Sequence, residues 1–365
     1  LSFESPPSEL DSYRLPFTAS PGISINPVGS GFHGTLGLYL KPGENNPYQG
    51  SVWAVSCRHV VCPTKEDEKY QYKHAGPPRI DILLPSDTAF EEVKKDAGSV
   101  MTGRSHMVAA LEKQLALGTL EQTQQLDEAR IDLTEIRDLV EKTLPKWQSP
   151  TDRIFGYVGI APPIQTALSM NPSLDLFGPR RDWALIEVDK DKHPGPVANT
   201  VKVDTGRRGY LVMLGRHLQT YSPSPRFDVM ADENLLRLGG VLPIDELRTP
   251  KMLDPHADPC LIVGKRGGAS DMTWGFLNGI KSVLWHDDNT RSMECYVVSS
   301  NKNYLFSCKG DSGSAVFDVT GRVVGIIVGG VKGSGKRDSM DITYVTPMAW
   351  LQKDMKDFGY DVEIA

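Results

Sequence analysis

Cysteine is scarce in this chain of 365 residues: there are five, at Cys57, Cys62, Cys260, Cys295 and Cys308. An odd, scattered set is a poor disulfide framework. Free thiols suit a reducing compartment, so the expected location is cytoplasmic or nuclear. No uninterrupted apolar run approaches the roughly 18 residues of a membrane-spanning helix, so no such span is expected. A strong charge of either sign is also missing. Forty Lys and Arg stand against 46 Asp and Glu, a formal net charge of −6. That balance excludes a general attraction to nucleic acid or to an anionic membrane, and neither is expected as a partner. Residues 1–22 carry Pro and Ser but no apolar core segment. They do not read as a signal peptide and are expected to be a flexible arm, although a chain that begins at Leu1 leaves a trimmed leader open.

Proline is absent from about residue 86 to residue 144, and only Gly98, Gly103 and Gly118 interrupt that stretch. Glu, Lys, Gln, Leu and Ala dominate it, all good helix formers. Leu126, Leu133 and Val140 recur every seventh residue, with Ala129 and Ile136 between them, which makes an apolar stripe. Gly118-Thr119 offers a break with Thr119 as N-cap, and Pro145 a stop. The expectation is an α-helical hairpin over 86–144. Its stripe needs a cover: the first helix (Val108, Leu111 and Leu115), the surrounding domain, or another molecule.

Elsewhere the texture is that of short strands broken by Gly and Pro. Ile23–Ile25, Gly34–Leu40, Ser51–Ser56 and Ile80–Leu84 precede the helical stretch. Trp183–Val188, Tyr210–Leu214, Cys260–Val263, Glu294–Ser299, Ser314–Asp318 and Val323–Val328 follow it. Trp350–Met355 reads as a closing helix. Many short, turn-punctuated strands predict antiparallel barrels.

The strongest chemical signal is Gly310-Asp311-Ser312-Gly313-Ser314-Ala315-Val316-Phe317. A serine hydroxyl needs a base to become a nucleophile, and backbone N–H donors aimed at the oxyanion it creates. Glycines on both sides let the chain turn so that two such donors, Gly310 and Ser312, converge. This loop resembles the nucleophile loop of the chymotrypsin/trypsin-like serine peptidases. Val55-Ser56-Cys57-Arg58-His59-Val60-Val61 resembles that family's histidine segment, and Arg181-Asp182-Trp183-Ala184-Leu185-Ile186 its aspartate segment. The order His, Asp, Ser is the family's order. Residues 265–279 resemble the second-barrel hairpin of intracellular and viral members, and Tyr344–Leu351 the final strand and helix. The resemblance covers about 23–85 and 151–355.

The resemblance implies a mainly β fold of two antiparallel six-stranded barrels, with the helical hairpin as an insertion. The first lobe would run over 23–205 and the second over 206–365 with the C-terminal helix. It implies a serine endopeptidase acting on peptide or protein substrates, with Ser312 as nucleophile, His59 as base and Asp182 orienting the histidine. Gly310 and Ser312 would form the oxyanion hole. Phe306 would floor the pocket for the P1 side chain, and Val328, Gly329 and Gly330 would pair with substrate backbone. No cofactor and no metal are implied. An aromatic floor favours a small or apolar P1, while Asp341 near the back of the pocket would favour a basic one. Two family features have no match here: the cysteine bridges beside the histidine and beside Cys308, and the Ile-Val-Gly-Gly amino terminus that pairs with the acid preceding the nucleophile. Asp311 must therefore find another partner, or the chain is cut near Gly22-Ile23.

Two other patterns are decoys. Cys57, His59 and Cys62 lack the fourth ligand and second cluster of a zinc site. Residues 330–336 (GVKGSGK) nearly match a phosphate loop, but Arg337 follows and no helix pattern does. The remaining histidines have no acid or cysteine at motif spacing. The alternative to an enzyme is a non-catalytic protease-fold scaffold that binds partners, or a second copy of itself, through the helical insertion.

Overall fold

A computed structural model describes residues 9–44, 47–73, 76–115, 120–170, 173, 175–193, 197–203, 213, 215, 229–230, 235–254, 256–300, 305–331 and 342–365. The fold is mainly β, built from curled antiparallel sheets. One sheet has nine strands. Its path runs Gly34–Thr35, Ser24–Pro27, Asp81–Leu83, Ile154–Ala161, Ala184–Val188, Trp53–Ser56, Leu38–Pro42 and Val362–Ile364, with Tyr70–Gln71 paired to Ile154–Ala161. The second sheet has seven strands in the order Met252–Leu253, Pro259–Gly267, Asp271–Trp285, Arg291–Ser299, Ile342–Pro347, Val323–Val331 and Ala315–Asp318. Ala315–Asp318 pairs back onto Pro259–Gly267, so this sheet closes on itself. Among the described residues the first sheet has no such closing pair.

The central strands are apolar on both faces. Trp53, Ala54 and Val55 are buried, as are Ala184, Leu185 and Ile186. These two strands lie side by side with Ala184 opposite Ser56 and Leu185 opposite Val55. Antiparallel register then puts the residues that follow Ser56 beside those that precede Ala184. The strand texture therefore already brings the histidine and aspartate segments together. In the second sheet the expected hairpin is formed, with Gly267 opposite Asp271 and Val263 opposite Gly275.

Helices span Asp87–Leu115 and Leu120–Asp138. Their apolar faces meet in one cluster: Phe90, Ala97 and Val108 from the first, Leu126, Ala129, Leu133 and Ile136 from the second. Leu111, Leu115 and Val140 pack on its edge. Arg130 pairs with Glu112 at 2.7 Å, and Arg104 with Asp132 at 3.4 Å. The stripe is thus covered within the chain. Gly118-Thr119 lies outside the described residues, as does Tyr210–Leu214 apart from Met213.

Two expectations are corrected. Residues 9–22 are not a loose arm. A helix spans Glu9–Arg14, and Phe17 packs edge-on to Phe90 and against Trp147, with ring centroids 6.3 and 5.3 Å apart. Aromatic surface otherwise left in water is buried there. The chain after 206 does not stay in one lobe either. The Met348–Asp357 helix leads to Val362–Ile364, which adds to the first sheet beside Leu38–Pro42. Among the described residues no helix is long and apolar enough to cross a membrane.

Candidate active site

The strand Trp53–Ser56 ends into a short helix, Arg58–Val61, which carries His59 at the sheet's rim. Arg58 is fully buried and fixes that helix. Its guanidinium donates to the carbonyls of Ala161 and Pro162 at 2.6 and 3.1 Å, and to those of Lys65 and Glu68 at 2.6 and 2.9 Å. One cation, the residue directly before His59, staples the loop that follows the histidine.

Asp182 faces His59. Its Oδ2 lies 2.5 Å from His59 Nδ1, and its Oδ1 accepts from the His59 backbone N–H at 3.0 Å. Both carboxylate oxygens are engaged by one residue, which fixes the ring's orientation and favours the tautomer with a proton on Nδ1. Burial pulls the His59 pKa down, but the charge and hydrogen bond of Asp182 and the charge of Glu66 more than offset it, so the net shift is upward. Asp182 is itself anchored from both sides: Arg181 and Trp183 donate to Asp354 of the C-terminal helix.

Ser312 sits in a tight loop between the two sheets. Its carbonyl accepts from Thr35 N–H at 2.9 Å, and Gly313 N–H donates to Ile327 at 2.8 Å. Gly313 has φ +93°, and a Cβ there would overlap Ser56 Oγ and the Thr35 carbonyl. Only glycine permits that approach, and it presses the serine loop against the segment leading to His59. Cys57 joins the same contact, with its Sγ donating to the Ile327 carbonyl at 3.1 Å. Among the described residues, no hydrogen bond links Ser312 Oγ to His59.

Gly310 has φ +105°. The N–H groups of Asp311, Gly313 and Ser314 all donate to protein carbonyls. Among the described residues those of Gly310 and Ser312 do not, so two unspent donors flank the serine. Asp311 has the partner it required. It is fully buried against Lys265, with 3.1 Å between Nζ and Oδ2.

Val328 and Gly329 are half-buried and Gly330 is exposed. Their strand pairs with Ile342–Pro347 on one side, with a register irregularity between Ile327 and Gly329. On the other side the Ala315–Asp318 strand pairs only as far as Ile326. Phe306 is fully buried in the second sheet's core with Val263, Leu277, Val297 and Val345. A ring with no accessible surface cannot touch a substrate side chain, so it forms core rather than the pocket's exposed floor. Asp341 and residues 332–336 lie outside the described residues.

Cys57 Sγ, a His59 ring nitrogen and an Asp182 oxygen lie within 4.8 Å of one another, whereas Cys62 Sγ bonds to Thr64 Oγ1 at 3.1 Å. Burial first, and the charge of Asp182 second, push the Cys57 thiol well above its usual range. All five cysteines are free. Two other histidines have hydroxyl partners: His193 meets Tyr39 at 2.7 Å, and His286 meets Ser292 at 2.8 Å.

The buried, paired roles of Arg58, Lys265, Glu294 and Asp354 are not visible in the sequence. Each is a charged residue of a type usually solvated, and nothing local marks it as buried.

The family model of peptidase family S64 matches residues 200–356. It spans Ser312 but neither His59 nor Asp182. The match supports a peptidase, in line with the peptidase resemblance of the sequence. No curated protein matches the chain. Among solved structures, protease A of Thermobifida fusca is similar over 95% of this chain and 98% of its own, with 8% identity and a TM-score of 0.40. Nocardiopsis protease is similar over 95% and 98%, with 9% identity and a TM-score of 0.38. A chymotrypsin of Cellulomonas bogoriensis is similar over 58% and 80%, with 13% identity and a TM-score of 0.28.

Proposed function

We propose that the protein is a serine endopeptidase that cleaves peptide bonds through Ser312, His59 and Asp182, and that its two sheets are the two barrel-like lobes of that fold. The observation that carries this reading is the pairing of unspent N–H donors at Gly310 and Ser312 with a histidine already oriented by Asp182.

His59 Nε2 takes the proton from Ser312 Oγ as the oxygen attacks the scissile carbonyl carbon. The C=O pair moves onto oxygen, and the two N–H groups stabilise that charge. The tetrahedral adduct collapses with cleavage of the C–N bond, and His59 returns its proton to the leaving amine. Water then attacks the acyl-enzyme with His59 again as base. Asp182 stays ionised and offsets the imidazolium charge. Among the described residues no strand pairs with the second side of Val328, Gly329 and Gly330, an edge suited to a substrate backbone laid down as an added strand. With Phe306 in the core and Ser307 bonded to Thr343 at 2.5 Å, little depth remains beneath the P1 position, which suits a small side chain. The helical pair covers its own apolar stripe, which favours an accessory role over bond cleavage. Five free thiols suit the cytoplasm or nucleus.

The test is hydrolysis of a peptide library. Endoproteolytic cleavage that persists in a chelator and disappears in Ser312→Ala supports the proposal. Equal cleavage by Ser312→Ala overturns it.

A further inference from the structure

The carboxylate of Asp311, next to the nucleophile, is saturated. Its Oδ1 accepts from the backbone N–H groups of Ala269 and Ser270 at 3.1 and 3.2 Å. Its Oδ2 accepts from Cys308 N–H at 2.9 Å, from Ser270 Oγ, and from Lys265 Nζ at 3.1 Å. Five donors meet a group that offers about four lone-pair sites. Lys265 is equally committed, because its ammonium donates to Asp311, to Ser270 Oγ and to the Asp271 carbonyl at 3.1 Å. All three of its protons are used, and both side chains are fully buried. Gly267 packs closely against both. A Cβ on Gly267 would overlap Asp311 Oδ1 and lie 2.9 Å from Lys265 Nζ.

The segment that a cut would have to release is locked elsewhere. Pro21, Gly22 and Ile23 are buried. Gly22 N–H donates to Leu36 at 2.8 Å, and Leu36 N–H donates back to Ile23 at 2.9 Å. A Cβ on Gly22 would lie 2.8 Å from Arg266 Cγ, beside the strand that carries Lys265. Ser24 then continues directly into the sheet, opposite Thr35.

We infer that Lys265 is the built-in counter-ion of the nucleophile loop, so that the site is assembled without an amino terminus created by cutting between Gly22 and Ile23. This rests on the serine-peptidase reading above. Asp311 lies between Gly310 and Ser312, the two residues whose N–H groups are left unspent. Pinning its carboxylate on the side of residues 265–271 fixes the backbone of Asp311, and with it the peptide units on either side that carry those N–H groups. Lys265 is a positioning residue: it touches no substrate and acts through Asp311. Without it, a buried carboxylate would face only neutral donors and would draw in water or protonate, and the loop would lose its single arrangement.

The experiment uses the full chain, with the Gly22–Ile23 bond verified intact by mass spectrometry, and measures fluorophosphonate labelling of Ser312. The intact chain should label. Lys265→Met should lower the maximal labelling rate on the order of 100-fold while shifting the half-saturating probe concentration far less. Lys265→Met/Asp311→Asn removes the orphaned charge and should recover about tenfold of the loss. The inference is overturned by an intact chain that is inert until cut at Gly22–Ile23. It is also overturned if Lys265→Met labels within about threefold of the parent, a change too small for a lost buried ion pair. If neither intact nor cut parent labels, the serine-peptidase reading fails instead. Hydrogen exchange over 307–314 then decides the role of Lys265. Protection in the parent and its loss in Lys265→Met uphold the role, and equal protection rejects it. If Lys265→Met does not fold, the intact-chain arm and the double variant carry the decision.

Discussion

Asp354 accepts a hydrogen bond from Trp183 Nε1 at 2.8 Å, which ties the C-terminal helix to the residue directly after Asp182. The same carboxylate takes Arg181 bidentately, at 2.7 and 2.6 Å, on the other side of Asp182. A helix remote in sequence therefore clamps both neighbours of the residue that orients His59. Asp354→Ala should cost about 3 kcal/mol of stability, because it orphans a largely buried guanidinium and an indole N–H. It should also slow labelling of Ser312 about tenfold through loosened orientation of His59. Asp354→Asn keeps an acceptor for Trp183 and should fall between. Thermal unfolding and probe labelling of the three proteins check this.

The pH dependence follows from His59. In the proposed mechanism His59 must be neutral to accept the Ser312 proton, and its pKa is raised in the fold. Labelling should therefore rise with pH through a midpoint above the ordinary value of about 6.5. Glu66 contributes to that rise by its charge, so Glu66→Gln should move the midpoint down without abolishing activity. The sign for stability is the opposite. The imidazolium–Asp182 pair contributes fully below the unfolded pKa, and its contribution is lost as pH rises through the folded value. A midpoint that does not move in Glu66→Gln would count against this electrostatic account.

Glu294 is buried and accepts from the Arg180 backbone N–H at 2.6 Å and from Thr346 Oγ1 at 3.3 Å. Burial pushes its pKa up from 4.5 to about 7, against the pull of those hydrogen bonds. The unfolded chain ionises first, so stability should fall as pH rises from about 4.5 to about 7 and then level off. Glu294→Gln keeps an acceptor for Arg180 and removes the ionisation. It should match the parent at acid pH and exceed it at pH 8 by an amount on the order of 3 kcal/mol. Denaturant unfolding at several pH values reads the difference.

The helical pair should matter for stability and little for bond cleavage. Ile136 is fully buried in the helical cluster. Ile136→Ala should cost about 2–4 kcal/mol of helical stability. Ser312 labelling should stay near the parent rate at a temperature where the sheets remain folded. A large loss of labelling there would mean that the helices help build the site.

The motifs around His59, Asp182 and Ser312 were legible because turn glycines, strand ends and their order along the chain are local features. The register that places Ala184 opposite Ser56 was not legible, because both strands are apolar on both faces and offer no alternation to read. Lys265 was read as part of a hairpin but not as the partner of Asp311, because a buried lysine looks in sequence like a solvated one. Asp354 was hidden for the same reason: its partners lie 173 and 171 residues away. The arm over 9–22 was misjudged because Phe17 acquires a partner only once Phe90 and Trp147 are brought beside it. The family resemblance implies Phe306 as the pocket floor, and a motif match along the chain cannot tell a pocket floor from the core below it.

The most direct test of the account is fluorophosphonate labelling of the intact protein followed by peptide mapping. The account predicts one adduct, on Ser312 Oγ, absent in Ser312→Ala and nearly abolished in His59→Ala. An adduct elsewhere, or labelling that persists undiminished in Ser312→Ala, would contradict it.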